Sequence, residues 1–118
     1  MSTPQRGEVW RVSLDPTEGD EMGKSRPAVV MSVNSIGILS LRVIVPLTEW
    51  KERYTRFLWM TKIEATLESG LSKASAGDAF QVRSISLSRF VKKLGQLSGE
   101  EIAEIASKIA LTVGHEEE

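Results

Sequence analysis

The chain has no cysteine, so a disulfide framework and thiolate chemistry are both excluded. It has one histidine, His115, placed among C-terminal glutamates, so a reaction run by the rest of the chain would have to move protons without imidazole. No apolar run is long enough for a membrane helix, and nothing near Met1 resembles a secretory leader. The expected location is the cytoplasm. Internal repeats and low-complexity tracts are also missing. Gly19 and Gly23 precede no helix start and make no phosphate-binding fingerprint. Asp15, Glu18, Asp20 and Glu21 lack the spacing of a calcium loop, so a solvated acidic loop is expected, with no metal site and no cofactor.

What is present suits one globular domain over residues 1–118. At 41% hydrophobic and 26% charged, the chain can build a single core. A core of this size covers only about two-thirds of the unfolded surface, so dimerisation would add burial. The formal net charge of −1 hides a division along the chain: residues 1–99 carry +4 and residues 100–118 carry −5. A basic body with an acidic end is compatible with a polyanionic ligand. Residues 113–118 read as a frayed acidic tail whose glutamates merely solvate it.

Glu8 to Leu14 alternates, with Trp10, Val12 and Leu14 on one face, and reads as a half-buried strand. Residues 15–25 form a long polar loop of the kind that often binds or covers a ligand. Pro27–Val33 and Leu41–Leu47 are β-branched-rich strands joined through Asn34-Ser35-Ile36-Gly37. Further strands are expected over 56–61 and 78–87, with a short helix over 88–93. The clearest helix begins after Ser98, where Glu101 completes a capping box and Leu97 and Ile102 are spaced as a hydrophobic staple. Its apolar stripe runs Ile102, Ile105, Ala106, Ile109, Val113, and Gly114 is placed to end it. Short strands separated by turns predict a mainly β fold, a small antiparallel SH3-like barrel with a C-terminal helix.

Two segments stand out: Gly23-Lys24-Ser25-Arg26-Pro27 opens one apolar run and Val45-Pro46-Leu47-Thr48 closes the next. Proline fixes its own φ and extends the residue before it, so each segment holds a polar side chain at a strand end. Together with Arg6-Gly7-Glu8-Val9-Trp10, Gly19-Asp20-Glu21, Arg26-Pro27-Ala28-Val29-Val30 and Gln81-Val82-Arg83, in that order, they make the chain similar to the MazF/PemK toxins. The resemblance runs from about Arg6 to the final helix. It implies a CcdB/PemK-like barrel, a homodimer, and the toxin of a type II toxin–antitoxin system. It also implies a sequence-selective endoribonuclease on single-stranded RNA, restrained by a MazE-like antitoxin through an acidic, partly disordered tail.

Metal-free RNA cleavage uses the 2′-hydroxyl as nucleophile and leaves a 2′,3′-cyclic phosphate and a 5′-hydroxyl. Arg26 suits charge stabilisation, because its fork of donors matches phosphate oxygens and its high pKa makes it a poor base. Thr48 would hydrogen-bond a nonbridging oxygen or the 2′-hydroxyl. The resemblance places the catalytic pair on these two positions. The plainer alternatives are an Arg26 ion pair with Asp20 or Glu21, and a Thr48 hydroxyl bonded to its own backbone. Glu21 either accepts the 2′-hydroxyl proton or holds Arg26.

Binding is assigned to Lys24, Ser25, Trp50, Arg53, Gln81 and Arg83. Around Trp50, Arg53 and Tyr54, aromatics interleave with cations in a pattern suited to stacked bases and neutralised phosphates, although Trp50 and Tyr54 would equally cap the barrel. Gln81 and Arg83 match the family's Gln-x-Arg, but Phe80 stands where that family usually has an acid. Two rival functions remain. A gyrase poison like CcdB shares the fold but uses a tryptophan near the C-terminus, which this chain lacks. A noncatalytic barrel binding RNA or protein is the other.

Overall fold

The computed structural model describes residues 3–36 and 39–115. Seven strands precede one helix: β1 (Glu8–Ser13), β2 (Ser25–Val30), β3 (Leu41–Glu49), β4 (Met60–Ile63), β5 (Ser75–Asp78), β6 (Arg83–Ser86), β7 (Phe90–Gln96) and α1 (Gly99–Thr112). All pairings are antiparallel, in the order β4-β5-β3-β2-β1-β7, with β6 added to β3. The mainly β architecture with a C-terminal helix is the expected one. The strand path stays open at β4 and β7, so the curled sheet is barrel-like but not closed.

The long strand β3 organises the fold. Its first half pairs with β6, its middle with β2, and its end, Leu47 to Glu49, with β5. One strand thus serves two sheet sections and carries Thr48 away from β2.

Strand alternation feeds two cores. Val9, Val29, Val45 and Leu47 join Met31, Ile63, Leu97 and Ile105 on one face, while Trp10, Val12, Leu14, Ala28, Val30, Ile44 and Ile85 fill the other. The first strand is therefore buried on both faces, because Val9 is as inaccessible as Val12. Helix α1 covers the first core through Ile102, Ile105, Ala106 and Ile109, and Lys108 Nζ donates to the Met60 carbonyl at 3.0 Å. The second core is closed by Phe90, which meets Trp10 edge-on at 5.8 Å.

The helix start matches its sequence signature: Glu101 N donates to Ser98 Oγ at 3.1 Å and Ser98 N to Glu101 Oε1 at 2.9 Å. Leu97 and Ile102 both enter the first core. At the other end Gly114 adopts φ 78°, its N–H donates to the Leu111 carbonyl at 3.1 Å and that of His115 to Ala110 at 2.9 Å. These two bonds make a Schellman cap, so residues 113–115 finish the helix instead of fraying. Val113, expected on the apolar stripe, is 72% exposed just past the last turn. The glutamates 116–118 and Gly37 lie outside the described residues.

Other expectations shift. Residues 52–56 form a 3-10 turn and the strand expected over 56–61 begins only at Met60. The strand expected over 78–87 is cut in two by a 3-10 turn at Ala79–Gln81, with β5 before it and β6 after. Residues 88–93 are not helical: a 3-10 turn at Leu87–Arg89 leads into β7, which pairs with β1. That strand is mostly exposed and carries Lys92 and Lys93, so its local sequence lacks the apolar alternation that marks a strand.

Candidate active site

The ladder between β2 and β3 runs Val30↔Ile44, Val29↔Val45, Ala28↔Pro46 and stops there. Its next step would oppose Pro27 to Leu47, with proline on one strand at each of two successive positions. Pro27 and Pro46 have no N–H to donate, so hydrogen bonding ends where they meet. Extended by one more step, the register sets Arg26 against Thr48. The strands part at this point, and the gap is a cavity of about 420 Å³ lined by Ser25, Arg26, Thr48 and Glu49 together with Arg11 and Lys73. The two proline segments singled out in the sequence thus build one site from opposite sides.

The Arg26 guanidinium is held by the loop before it. Its Nε donates to the Gly23 carbonyl at 3.0 Å and its Nη1 lies 3.6 Å from Met22 Sδ. It forms no ion pair among the described residues, so the plain alternative of a bridge to Asp20 or Glu21 is not realised. Thr48 pairs with Ala76 of β5 and is partly exposed. Arg11, Ser72, Lys73 and Glu49 were not singled out in the sequence, yet all line the cavity. Lys73 Nζ lies 3.9 Å from Glu49 Oε2, which puts a second cation and a carboxylate beside the Arg26/Thr48 pair. The turn at Gly70 precedes Ser72 and Lys73 in the cavity wall. Gly70 adopts φ 69°, and a Cβ there would lie 1.9 Å from the Leu94 carbonyl oxygen.

Gln81, Arg83 and Glu21 line a second cavity of about 500 Å³, together with Met22, Pro46, Phe80 and Val82. Gln81 fastens the 15–24 loop: its Oε1 accepts from Met22 N at 2.6 Å and its Nε2 donates to the Asp20 carbonyl at 3.3 Å. Glu21 folds back on the same loop and accepts from Glu18 N at 2.6 Å. It has no hydrogen bond to Arg26. Lys24, with φ 64°, is exposed and fixed through its N–H to Asp15 Oδ1 at 2.8 Å. Lys24, Trp50 and Arg53 line neither cavity. Trp50 instead meets Tyr54 edge-on at 5.8 Å, Lys62 Nζ sits 5.4 Å from its ring, and the Arg53 guanidinium lies 5.4 Å from Tyr54.

A buried carboxylate does stand close to Phe80 in the chain, although it does not line the cavity. Asp78, three residues before Gln81, is turned back by the 3-10 turn: its Oδ1 accepts from Phe80 N at 3.0 Å and its Oδ2 faces Gln81 Nε2 at 3.5 Å. Burial raises its pKa, and the hydrogen bonds from Phe80 and Gln81 offset only part of that rise. The Arg6–Trp10 segment serves the fold. Glu8 is buried and accepts from Trp10 Nε1 at 3.0 Å and Gln5 N at 2.9 Å, and it pairs with Lys93 at 2.9 Å. Burial alone would raise its pKa, but these partners together hold it below the ordinary value.

The family model for the PemK-like, MazF-like toxin of type II toxin-antitoxin systems matches residues 5–113. Endoribonuclease MazF9 of Mycobacterium tuberculosis is 31% identical over 113 residues, covering 91% of this chain and 93% of that one. Among solved structures, MazF of Deinococcus radiodurans superposes with a TM-score of 0.82 at 23% identity, over 97% of this chain and 99% of that one. A MazE-MazF structure from the same organism gives 0.76 at 25% identity, over 98% and 100%. No described helix is long and apolar enough to cross a membrane.

Proposed function

The chain belongs to the PemK-like, MazF-like toxin family, and we propose that it is a toxin endoribonuclease that cuts single-stranded RNA at the Arg26/Thr48 cavity. The observation that supports the site assignment is the ladder that stops at Ala28↔Pro46, beyond which Arg26 and Thr48 line one cavity. The 2′-hydroxyl gives up its proton and attacks phosphorus, charge accumulates on the nonbridging oxygens, and the P–O5′ bond breaks as the departing 5′-oxygen takes up a proton from solvent. Arg26 stabilises that charge with donors already oriented by the Gly23 carbonyl. Thr48 hydrogen-bonds the same phosphate or the attacking hydroxyl, and Arg11 and Lys73 add positive potential at the cavity wall. Glu49 is the carboxylate this cavity itself supplies for the 2′-hydroxyl proton, whereas Glu21 lines the second cavity and accepts from Glu18 N. No step requires a metal ion.

The toxin acts in the cytoplasm as a homodimer, and its antitoxin presents an acidic, disordered segment to the same cationic groove. The name of the MazE-MazF relative supports an antitoxin partner. A single experiment tests the chemistry: cleave a mapped RNA in chelator, then replace the ribose at the cut site with deoxyribose. Cyclic phosphate ends and complete loss of cutting on the deoxy substrate are expected. Continued cutting would sink the mechanism.

A further inference from the structure

The aromatic side chains are few, but five of the seven form one row. Trp50, Tyr54, Phe57, Trp59 and Phe80 follow one another at centroid separations of 5.8, 5.8, 4.9 and 5.6 Å. Phe57 and Trp59 are stacked with 6° between their planes, and Trp59 meets Phe80 at 76°. A row of this kind usually ends in a core. Here its last ring, Phe80, is 65% exposed and opens into the second cavity beside Arg83. Its backbone is fixed by the hydrogen bond to Asp78 at 3.0 Å, and its ring is backed by Trp59. An immobilised ring with most of its surface free has already lost its conformational entropy, so a second planar group can stack on it at little further cost.

We propose that Phe80 is the stacking platform of a base-recognition subsite, holding one unpaired base of an RNA whose neighbouring phosphate lies in the Arg26 cavity. Charge favours RNA over an apolar side chain as the occupant: Arg83 lines the cavity and makes no ion pair among the described residues, and Arg53 and Lys62 flank the row. Asp20 and Glu21 line the same cavity, where a phosphate would be repelled but the amino group of a base would find an acceptor. The two cavities adjoin, because Met22 lines this one and its sulfur touches Arg26 in the other. Stacking tolerates any base, so Phe80 supplies affinity and register while the polar wall discriminates.

The subsite rests on the endoribonuclease reading, and the test separates the two. An RNA with a mapped cut site is made uncleavable by one deoxyribose and carries 2-aminopurine at each flanking position in turn. On the wild-type protein one position should be quenched. Phe80→Ala and Phe80→Leu should lose that quenching and bind roughly tenfold more weakly, while Phe80→Trp restores both. Leucine keeps apolar volume without the ring and guards against a folding failure. If wild type binds and cuts RNA but Phe80→Leu binds with unchanged affinity and quenching, the subsite is wrong and the endoribonuclease reading stands. If wild type neither binds nor cuts RNA, the parent reading itself fails. Dissociation of the oligomer by Phe80→Leu, or weakened binding of an acidic peptide alone, would also overturn the proposal by making this a protein interface.

Discussion

The Arg26 cavity and the Phe80 cavity are built by different means. One opens because paired prolines end a ladder, and it is lined by cations, hydroxyls and a carboxylate. The other is shaped by a 3-10 turn, is richer in apolar side chains, and holds an aromatic ring with an amide already committed to a loop. Only the first supplies several cations to meet a developing phosphorane: Arg11, Arg26 and Lys73, against Arg83 alone in the second. On the proposed reading, bond breaking falls to the first cavity and recognition to the second.

The strongest way to break that division is at Arg26. Arg26→Ala should lower the cleavage rate by about a hundredfold or more, as expected for removal of an oriented charge-stabilising donor, with a much smaller change in KM. Thr48→Ala should lose at least about tenfold, and Arg26→Lys should remain poor because the fork is lost. Single-turnover kinetics on variants with unchanged circular dichroism would check this. A pure KM effect would move Arg26 into the binding class.

A smaller and opposite signature is expected in the second cavity. Charge reversal at Arg83 should weaken uncleavable RNA and an acidic antitoxin peptide together, with a shallower salt dependence for both. Gln81→Ala should release the loop and change binding by only a few-fold, since it removes hydrogen bonds internal to the protein. Competition binding at two salt concentrations would separate the cases; simultaneous, independent saturation by RNA and peptide would defeat a shared groove.

Two buried carboxylates sharpen the contrast through pH. Glu8 is held below its ordinary pKa, so the folded state binds fewer protons than the unfolded one, and its contribution is lost as pH falls into the acid range. Asp78 is raised, so the folded state holds its proton longer, and stability falls as pH rises through its folded value. Chemical denaturation across the acid range should show Glu8→Gln flattening the acid loss and Asp78→Asn removing the opposing slope. The smallest effect on cleavage belongs to Ser98→Ala, which should cost about 1 kcal/mol of stability through the lost cap and leave the rate unchanged.

The sequence by itself determined whatever rests on neighbours along the chain. The capping box at Ser98 and Glu101, the glycine stop, and the apolar strands around Val29 and Val45 all form where local signals put them, because capping bonds and side-chain alternation span only a few residues. Pro27 and Pro46 marked Arg26 and Thr48 as held residues for the same reason. Tertiary structure alone decided the rest. β7 is a strand because β1 offers it an edge, not because its own residues alternate. Lys73, Arg11 and Glu49 share the Arg26 cavity through a left-handed turn at Gly70 and a strand that changes partners along its length. Phe80 is a free ring rather than a core residue because a 3-10 turn splits what local apolar content made look like one strand. Such contacts depend on which distant segments meet, and hydrogen bonding and burial between them have no trace in any short window of sequence.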